Sequence, residues 1–157
     1  MSADCSGESV PVVRLALAKE RCARVPALTL ANPDSVAAWI NKHYGCSPQE
    51  VFLALLFNAR NELLAVQEAS IGSLDSTMAD PRVILSAALL SGASAMVLAH
   101  NHPSGSSEPS EADITSTRQI AQGAKLLGIK LLDHLVVARG GEYTSFRLRN
   151  FPSLEGR

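Results

Sequence analysis

The chain has 157 residues, of which 46% are hydrophobic and 18% are charged, and its formal net charge is −1. That length suits one ordinary domain with a hydrophobic core, and the composition excludes long disordered tracts and collagen-like order. Because phosphate binding favours a surplus or a dense cluster of basic residues, 14 basic against 15 acidic residues argue against direct nucleic-acid binding.

The first part of the chain is predicted to be an arm followed by a helix. Residues 1–30 mix apolar pairs with charges and contain two prolines, so we interpret them as an N-terminal arm with a short strand or turn. Residues 31–150 are interpreted as a single domain. The run Asn32-Pro33-Asp34-Ser35 is typical of a helix start, and Gly45 stands where a helix would end, which predicts a helix at about residues 34–43.

The middle of the chain alternates strand and helix patterns. The apolar run 51–57 resumes at 62–66 after a polar turn, which predicts two buried strands in a β-hairpin. A helix is predicted over residues 82–90, followed by a short strand over residues 95–99 that leads into His100.

The last third is predicted to be a loop, a long helix and a pair of strands. Turn-forming residues fill 103–109, and Ser110 begins a helix that reaches Gly128. Apolar runs at 129–132 and 135–138 are separated from 143–148 by a glycine-containing turn, which suggests a terminal strand pair.

Cysteines and apolar runs bear on the compartment. The three cysteines are widely spaced and lack a C-x-x-C pattern, so neither a disulfide framework nor a cysteine zinc site is indicated. The chain shows no signal-peptide pattern and no apolar run near the roughly 20 residues that a membrane-spanning helix needs. We therefore expect a cytoplasmic location with no membrane association.

His100 and His102 are the first candidates for chemistry. In an extended backbone, residues two apart project to the same side and can meet one ion, although such a pair also fits two polar groups at a strand end. The pattern continues at Asp113, on the first turn of the predicted helix. Two nitrogens and one oxygen suit one Zn²⁺ per chain, with a fourth position open for a water whose pKa falls to about 7.

Ser110 and Asp113 also fit a second interpretation. The spacing Ser110-x-x-Asp113 before an apolar helical run is that of a capping box, which satisfies free backbone amides. Capping alone would explain the pair if the histidines were absent. With the histidines, the joint pattern favours a shared task in which the Ser110 hydroxyl faces the reaction.

Over about residues 45–148 the chain resembles the RadC branch of the JAMM, or MPN+, metalloprotease superfamily. The resemblance lies in the stretch 100–105, in Pro109-Ser110, in Asp113 and in the stretch 132–134. It implies a cytidine-deaminase-like α/β fold, in which helices flank a mixed sheet. It also implies two histidine ligands, a serine that steadies a tetrahedral oxyanion and an aspartate ligand, which correspond to His100, His102, Ser110 and Asp113.

The same resemblance assigns the general base to Glu50, which precedes the buried strand 51–57. The other interpretation is a solvated glutamate at a strand start, and Glu62 and Glu68 are further carboxylates in the hairpin. Asp133 and His134 could orient a ligand from behind, or form a structural hydrogen-bonded pair. His43 is predicted to be surface charge near a helix end.

Three functions follow from these patterns. The leading hypothesis is a zinc-dependent hydrolase, a metallopeptidase or isopeptidase acting on a peptide or isopeptide-like bond. The alternatives, which the resemblance implies, are a RadC-like protein associated with DNA repair and a non-catalytic MPN-type interaction module. RadC proteins also carry an N-terminal helical domain related to DNA binders, and the stretch before Glu50 is too short to hold it.

Overall fold

The structure, a computed structural model, describes residues 14, 16–22, 32–71 and 79–156. Most of the predicted arm, with Cys5, lies outside the described residues. The helices and strands follow in chain order as α1 (Pro33–Tyr44), β1 (Val51–Phe57), β2 (Leu63–Ile71), α2 (Pro81–Leu90), β3 (Ala95–His102), α3 (Glu111–Leu126), β4 (Lys130–Ala138), β5 (Tyr143–Ser145) and a 3-10 turn (Pro152–Glu155).

One five-stranded sheet in the order β2-β1-β3-β4-β5 organises the domain. Strands β3 and β4 are parallel, with α3 as the crossover between them, and the other neighbours are antiparallel. A parallel pair needs such a crossover, whereas β1 and β2 need only a short turn. The predicted α/β fold with a mixed sheet is therefore confirmed.

Strand β1 is buried on both faces, which explains its unbroken apolar sequence. Leu53 and Leu55 face α1, where Trp39 and Ile40 complete one core cluster. The neighbouring residues of β1 face the opposite way, toward α2 and α3. Because burying one large apolar side chain contributes about 1.5–3 kcal/mol, this strand fixes both helical layers on the sheet.

Two strand predictions are wrong in detail. Strand β2 was predicted to be buried, but it lies at the sheet edge and its side chains are mostly half-exposed. The last strand was predicted over 143–148, but it ends at Ser145. It ends there because the Asp133 carboxylate accepts from the Arg147 backbone N–H at 2.9 Å and the Ser145 hydroxyl accepts from that of Leu148 at 3.1 Å, which turns the chain.

None of the helices within the described residues combines the length and the apolarity needed to cross a bilayer.

Candidate metal centre

The end of strand β3 carries the two predicted histidine ligands on one face. The strand runs through His102, three residues beyond its predicted end, so the extended backbone places both rings on the same side. Their Nε2 atoms lie 2.9 Å apart. His100 is 2% exposed and stacks on Phe52 with an interplanar angle of 8°, which holds its ring plane.

The tautomer of His102 is set by the loop that follows the strand. Its Nδ1 lies 2.8 Å from the carbonyl oxygen of Ser106. A carbonyl only accepts, so Nδ1 carries the hydrogen. The lone pair of His102 is therefore on Nε2, the atom that faces His100.

Asp113 is aimed at the histidines by the helix cap. Ser110 is the N-cap of α3 rather than its first residue, and a complete capping box joins it to Asp113. Oδ2 of Asp113 accepts from the Ser110 backbone N–H at 2.7 Å and from its hydroxyl at 2.6 Å. Oδ1 of Asp113 lies 3.3 Å from Nε2 of His100. The capping box and the ligand pattern are thus one arrangement, because capping through Oδ2 leaves Oδ1 for the site.

The donor atoms of the three residues fit a metal ion. One ligand atom from each of His100, His102 and Asp113 can be chosen so that all lie within 4.8 Å of one another. In a tetrahedral site with bonds of about 2.0–2.1 Å, ligand atoms are about 3.3 Å apart. The Nε2 atoms of His100 and His102 are 2.9 Å apart and Oδ1 of Asp113 lies 3.3 Å from Nε2 of His100, both near this value. The 3.6 Å contact of His102 Nε2 is with Oδ2 of Asp113.

The electrostatics of the site also favour a cation. Burial raises the pKa of Asp113, but its contacts with His100 and His102 outweigh burial and hold that pKa far below its ordinary value. Burial lowers the pKa of His102, but contacts with Asp113 and Ser106 outweigh it and raise that pKa. Both directions mean that positive charge beside the Asp113 carboxylate is stabilised, and a proton or a metal cation can supply it.

Glu50 lies beside the three candidate ligands. Its Oε1 is 3.8 Å from Nε2 of His102, and its side chain is 46% exposed. The other hairpin carboxylates are engaged elsewhere: Glu62 accepts from Asn58 in the β1–β2 turn, and Glu68 accepts from the Tyr44 hydroxyl and pairs with Arg21. Of the three carboxylates, Glu50 is the one placed beside the histidines, and its catalytic role stays a prediction.

Asp133 and His134 lie on opposite faces of β4 and contact different parts of the structure. Asp133 accepts from the Ser145 hydroxyl at 2.6 Å and supports the final turn. His134 is fully buried, and its Nε2 lies 2.9 Å from Nδ1 of His100. Burial lowers the pKa of His134 well below its ordinary value, which keeps the ring neutral. His134 is thus the residue of the pair that reaches the candidate metal centre.

Two further residues at the site were not predicted from the sequence. Thr117 contacts Nδ1 of His134 at 2.6 Å, and Asn101 bonds the backbone beside Glu50. Thr117 follows Asp113 by one helical turn, which is a sequence signal that could have indicated it. Asn101 points to the other side of the strand from its neighbours, and nothing in the motif identifies its partners.

Several other residues lie away from the centre. His43 is exposed and contacts Trp39 at the end of α1, with ring centroids 4.9 Å apart. Cys22 and Cys46 are exposed free thiols. Arg149 pairs with Glu108 at 2.7 Å, and Arg147 lies 3.9 Å from Asp133. Of the three arginines near the C-terminal end of the domain, Arg139, Arg147 and Arg149, two are thus matched by carboxylates.

Comparisons with known proteins give the family. A family model described as the RadC-like JAB domain matches residues 30–151. A UPF0758 protein of Neisseria gonorrhoeae (strain NCCP11945) is 42% identical over 127 residues, which are 81% of this chain and 54% of that protein. A UPF0758 protein of Dechloromonas aromatica (strain RCB) is 38% identical over 141 residues, which are 90% of this chain and 61% of that protein.

The relatives are longer than this chain. It also matches a UPF0758 protein of Moorella thermoacetica with 37% identity over 132 residues, and it covers 57% of that protein. The chain thus spans little more than half the length of these relatives, so their names describe larger proteins. The matched region contains every candidate site residue, and it shows that the chain belongs to the RadC-like JAB domain family.

Proposed function

We propose that this chain is a zinc-dependent hydrolase that cleaves a peptide or isopeptide-like bond with a metal-activated water. The observation that carries the proposal is the convergence of the His100 and His102 Nε2 atoms with the Asp113 carboxylate. Membership of the RadC-like JAB domain family supports it, since the ligand pattern resembles that of the JAMM metalloproteases.

The donor set favours zinc as the cation. His100, His102 and Asp113 would supply two nitrogens and one oxygen, which is a set typical of catalytic zinc with one position left open. When bound there, zinc would supply Lewis acidity that lowers the pKa of a water to about 7 and polarises a substrate carbonyl. The protein's own contribution is to hold the three donors in place.

Glu50 is proposed as the general base. A carboxylate that is close to a metal centre but is not a ligand can accept a proton from the attacking water and deliver it to the leaving nitrogen. Oε1 of Glu50 lies 3.8 Å from Nε2 of His102, and the side chain is 46% exposed, so it reaches both the site and solvent. A substrate would therefore approach from the Glu50 side, because His100 forms the buried end.

Ser110 is proposed to steady the oxyanion, and its hydrogen bonds set a condition on this role. Its hydroxyl hydrogen is donated to Oδ2 of Asp113 at 2.6 Å. A hydroxyl has only one hydrogen, so donation to a substrate oxygen requires that hydrogen to leave Asp113. The backbone N–H of Ser110 continues to bond Oδ2 at 2.7 Å, which keeps the carboxylate oriented meanwhile.

Metal analysis combined with a cleavage screen tests the proposal. We expect about one zinc per purified chain, lost in His100→Ala and Asp113→Ala. On a library of peptides and lysine isopeptides, Glu50→Gln should lower kcat by roughly 10²–10⁴-fold, the usual contribution of general acid–base catalysis, with zinc retained. Glu62→Gln is the matched control, because that carboxylate lies in the β1–β2 turn and its loss should leave turnover unchanged.

Other outcomes would favour the alternatives. A wild-type protein that binds no metal contradicts the proposal directly. One that binds zinc but cleaves nothing in the library, while shifting DNA at physiological salt, supports the DNA-repair association instead. Zinc binding without cleavage or DNA binding would favour a non-catalytic MPN-type module.

A further inference from the structure

His134 lies behind the metal centre, inside the protein. Its ring is enclosed by Phe52 and Phe146, with centroid distances of 5.3 and 4.7 Å. Nε2 of His134 lies 2.9 Å from Nδ1 of His100, and Nδ1 lies 2.6 Å from Oγ1 of Thr117 on α3. Both ring nitrogens of His134 are therefore engaged, and the residue connects helix α3 to the first candidate ligand.

Thr117 sets the direction of the hydrogen bonds that join it to His134 and join His134 to His100. We call this series the hydrogen-bond chain. Its Oγ1 lies 2.5 Å from the backbone oxygen of Asp113, and that oxygen can only accept, so the single hydroxyl hydrogen is used there. Thr117 must then accept from Nδ1–H of His134. A neutral His134 consequently has a bare Nε2, which accepts from Nδ1–H of His100. The lone pair of His100 is left on Nε2, beside His102 and Asp113.

We propose that Thr117 and His134 are positioning residues that fix the tautomer of His100 and so prepare its Nε2 for a cation. Metal-binding histidines usually donate their second N–H to a carboxylate, carbonyl or water, and here the acceptor is another imidazole oriented by a threonine. The inference rests on the metal-binding part of the proposed function and is independent of whether the centre hydrolyses anything.

The hydroxyl of Thr117 gives the hydrogen-bond chain its direction. Without it, the proton of His134 is free to move to Nε2, which then donates to Nδ1 of His100. The His100 proton is displaced to its own Nε2, and that tautomer offers no lone pair to the metal. Both tautomers are open to His100 when no cation is bound, so the effect is measurable in metal-free protein.

A set of three variants tests the effect on metal affinity. Thr117→Val is close in shape and removes only the hydroxyl, and we expect zinc affinity to fall roughly 10–100-fold, as for other partners of ligand histidines. Thr117→Ser should restore wild-type affinity. Ser116→Ala is the matched control, because Ser116 bonds the same Asp113 carbonyl at 3.2 Å. Zinc alone, in competition with a chromophoric chelator, is the probe.

The tautomer itself can be read by NMR of ring-labelled histidine in metal-free protein at about pH 8, above the ordinary histidine pKa. We expect wild-type His100 to carry its hydrogen on Nδ1, and Thr117→Val to shift that population toward Nε2. A wild-type His100 protonated on Nε2 would overturn the proposal without any variant. So would a Thr117→Val protein whose affinity and tautomer match those of Ser116→Ala. A wild-type protein with no zinc affinity overturns the proposed function and the role of the two residues in preparing a metal ligand. In that case the tautomer measurement still shows whether the hydrogen-bond chain runs in the proposed direction.

Discussion

The side-chain amide of Asn101 holds the backbone on both sides of Glu50. Its Oδ1 accepts from the Val51 N–H at 2.8 Å, and its Nδ2 donates to the Gln49 carbonyl at 3.1 Å. Asn101 is 1% exposed and lies on β3 between the two histidines. The strand that carries the two histidines thus also fixes the segment that carries the proposed base. The position of Glu50 relative to the histidines is therefore held by Asn101.

Replacing Asn101 should separate catalysis from metal binding. Asn101→Ala frees the Glu50 segment, and we expect kcat to fall roughly 10²-fold, as small misplacements of reacting groups commonly do. Zinc content should stay near one per chain, and the free energy of unfolding should fall by about 1–3 kcal/mol, since buried polar groups lose their partners. Kinetics, metal analysis and urea unfolding measure the three quantities.

The matched control for this variant is Asn58→Ala. Asn58 accepts from the Arg60 and Glu62 backbone N–H groups in the β1–β2 turn, at the other end of β1 from Glu50. Its replacement should lower stability without a comparable loss of kcat. Equal losses of kcat in both variants would mean that Asn101 acts through general stability alone.

Ser110 offers a way to distinguish capping from catalysis. Substituting an N-cap serine by alanine costs about 0.5–2 kcal/mol, whereas glycine costs only a few tenths. Ser110→Ala and Ser110→Gly both lose the hydroxyl that is bonded to Asp113. If the hydroxyl assists turnover, kcat falls similarly in both while only the alanine variant loses much stability. A kcat that follows stability, with the glycine variant near wild type, would argue against the oxyanion role.

The sequence predicted those parts of the site that depend on local spacing. The interval between His100 and His102 places both rings on one face of a strand, and the interval from Ser110 to Asp113 is the capping box itself. Both spatial relations are found in the structure because they depend only on backbone geometry within a few residues. The helix at about 34–43 and the hairpin were predictable for the same reason, from end signals and apolar runs.

The remaining features depend on which strands become neighbours. Strand β2 has the apolar content of a buried strand but lies at the edge, and strand order is not a property of the strand's own residues. The contact of Thr117 with His134 joins residues 17 apart in sequence. The hydrogen bonds of Asn101 with the backbone of Gln49 and Val51 span about 50 residues. The bonds of Asn101 arise because β1 lies beside β3, and the contact of Thr117 arises because α3 packs against β4. No local pattern specifies either neighbour.

Metal removal should lower the stability of the folded domain measurably. The candidate ligands lie on β3 and α3, so a cation that bridges them stabilises the folded state by about 2.7 kcal/mol when its concentration is 100 times Kd. We expect a chelator to lower Tm by several degrees and added zinc to restore it, as followed by calorimetry. His102→Ala should show no zinc-dependent shift. An equal shift in that variant would indicate adventitious binding elsewhere on the chain.

Tyr143 provides a prediction away from the metal centre. Burial and a hydrogen bond donated to Oδ1 of Asp34 raise the pKa of its hydroxyl to about 12, and the bond links β5 to the first turn of α1. The unfolded value is about 10, so the folded state holds this proton more tightly. The stabilisation is therefore complete below about pH 10 and is lost as pH rises from there through the folded pKa.

The comparison of wild type with Tyr143→Phe isolates this contribution. We expect the wild type to be more stable by about 0.5–1.5 kcal/mol near pH 8, the usual net value of one hydrogen bond. Urea unfolding at increasing pH should show that the difference narrows above about pH 10, because the unfolded tyrosine ionises first. Tyr44, the other tyrosine, is present in both proteins and cancels. A difference that stays constant from pH 8 to 11 would show that packing of the ring, and not its proton, stabilises the contact.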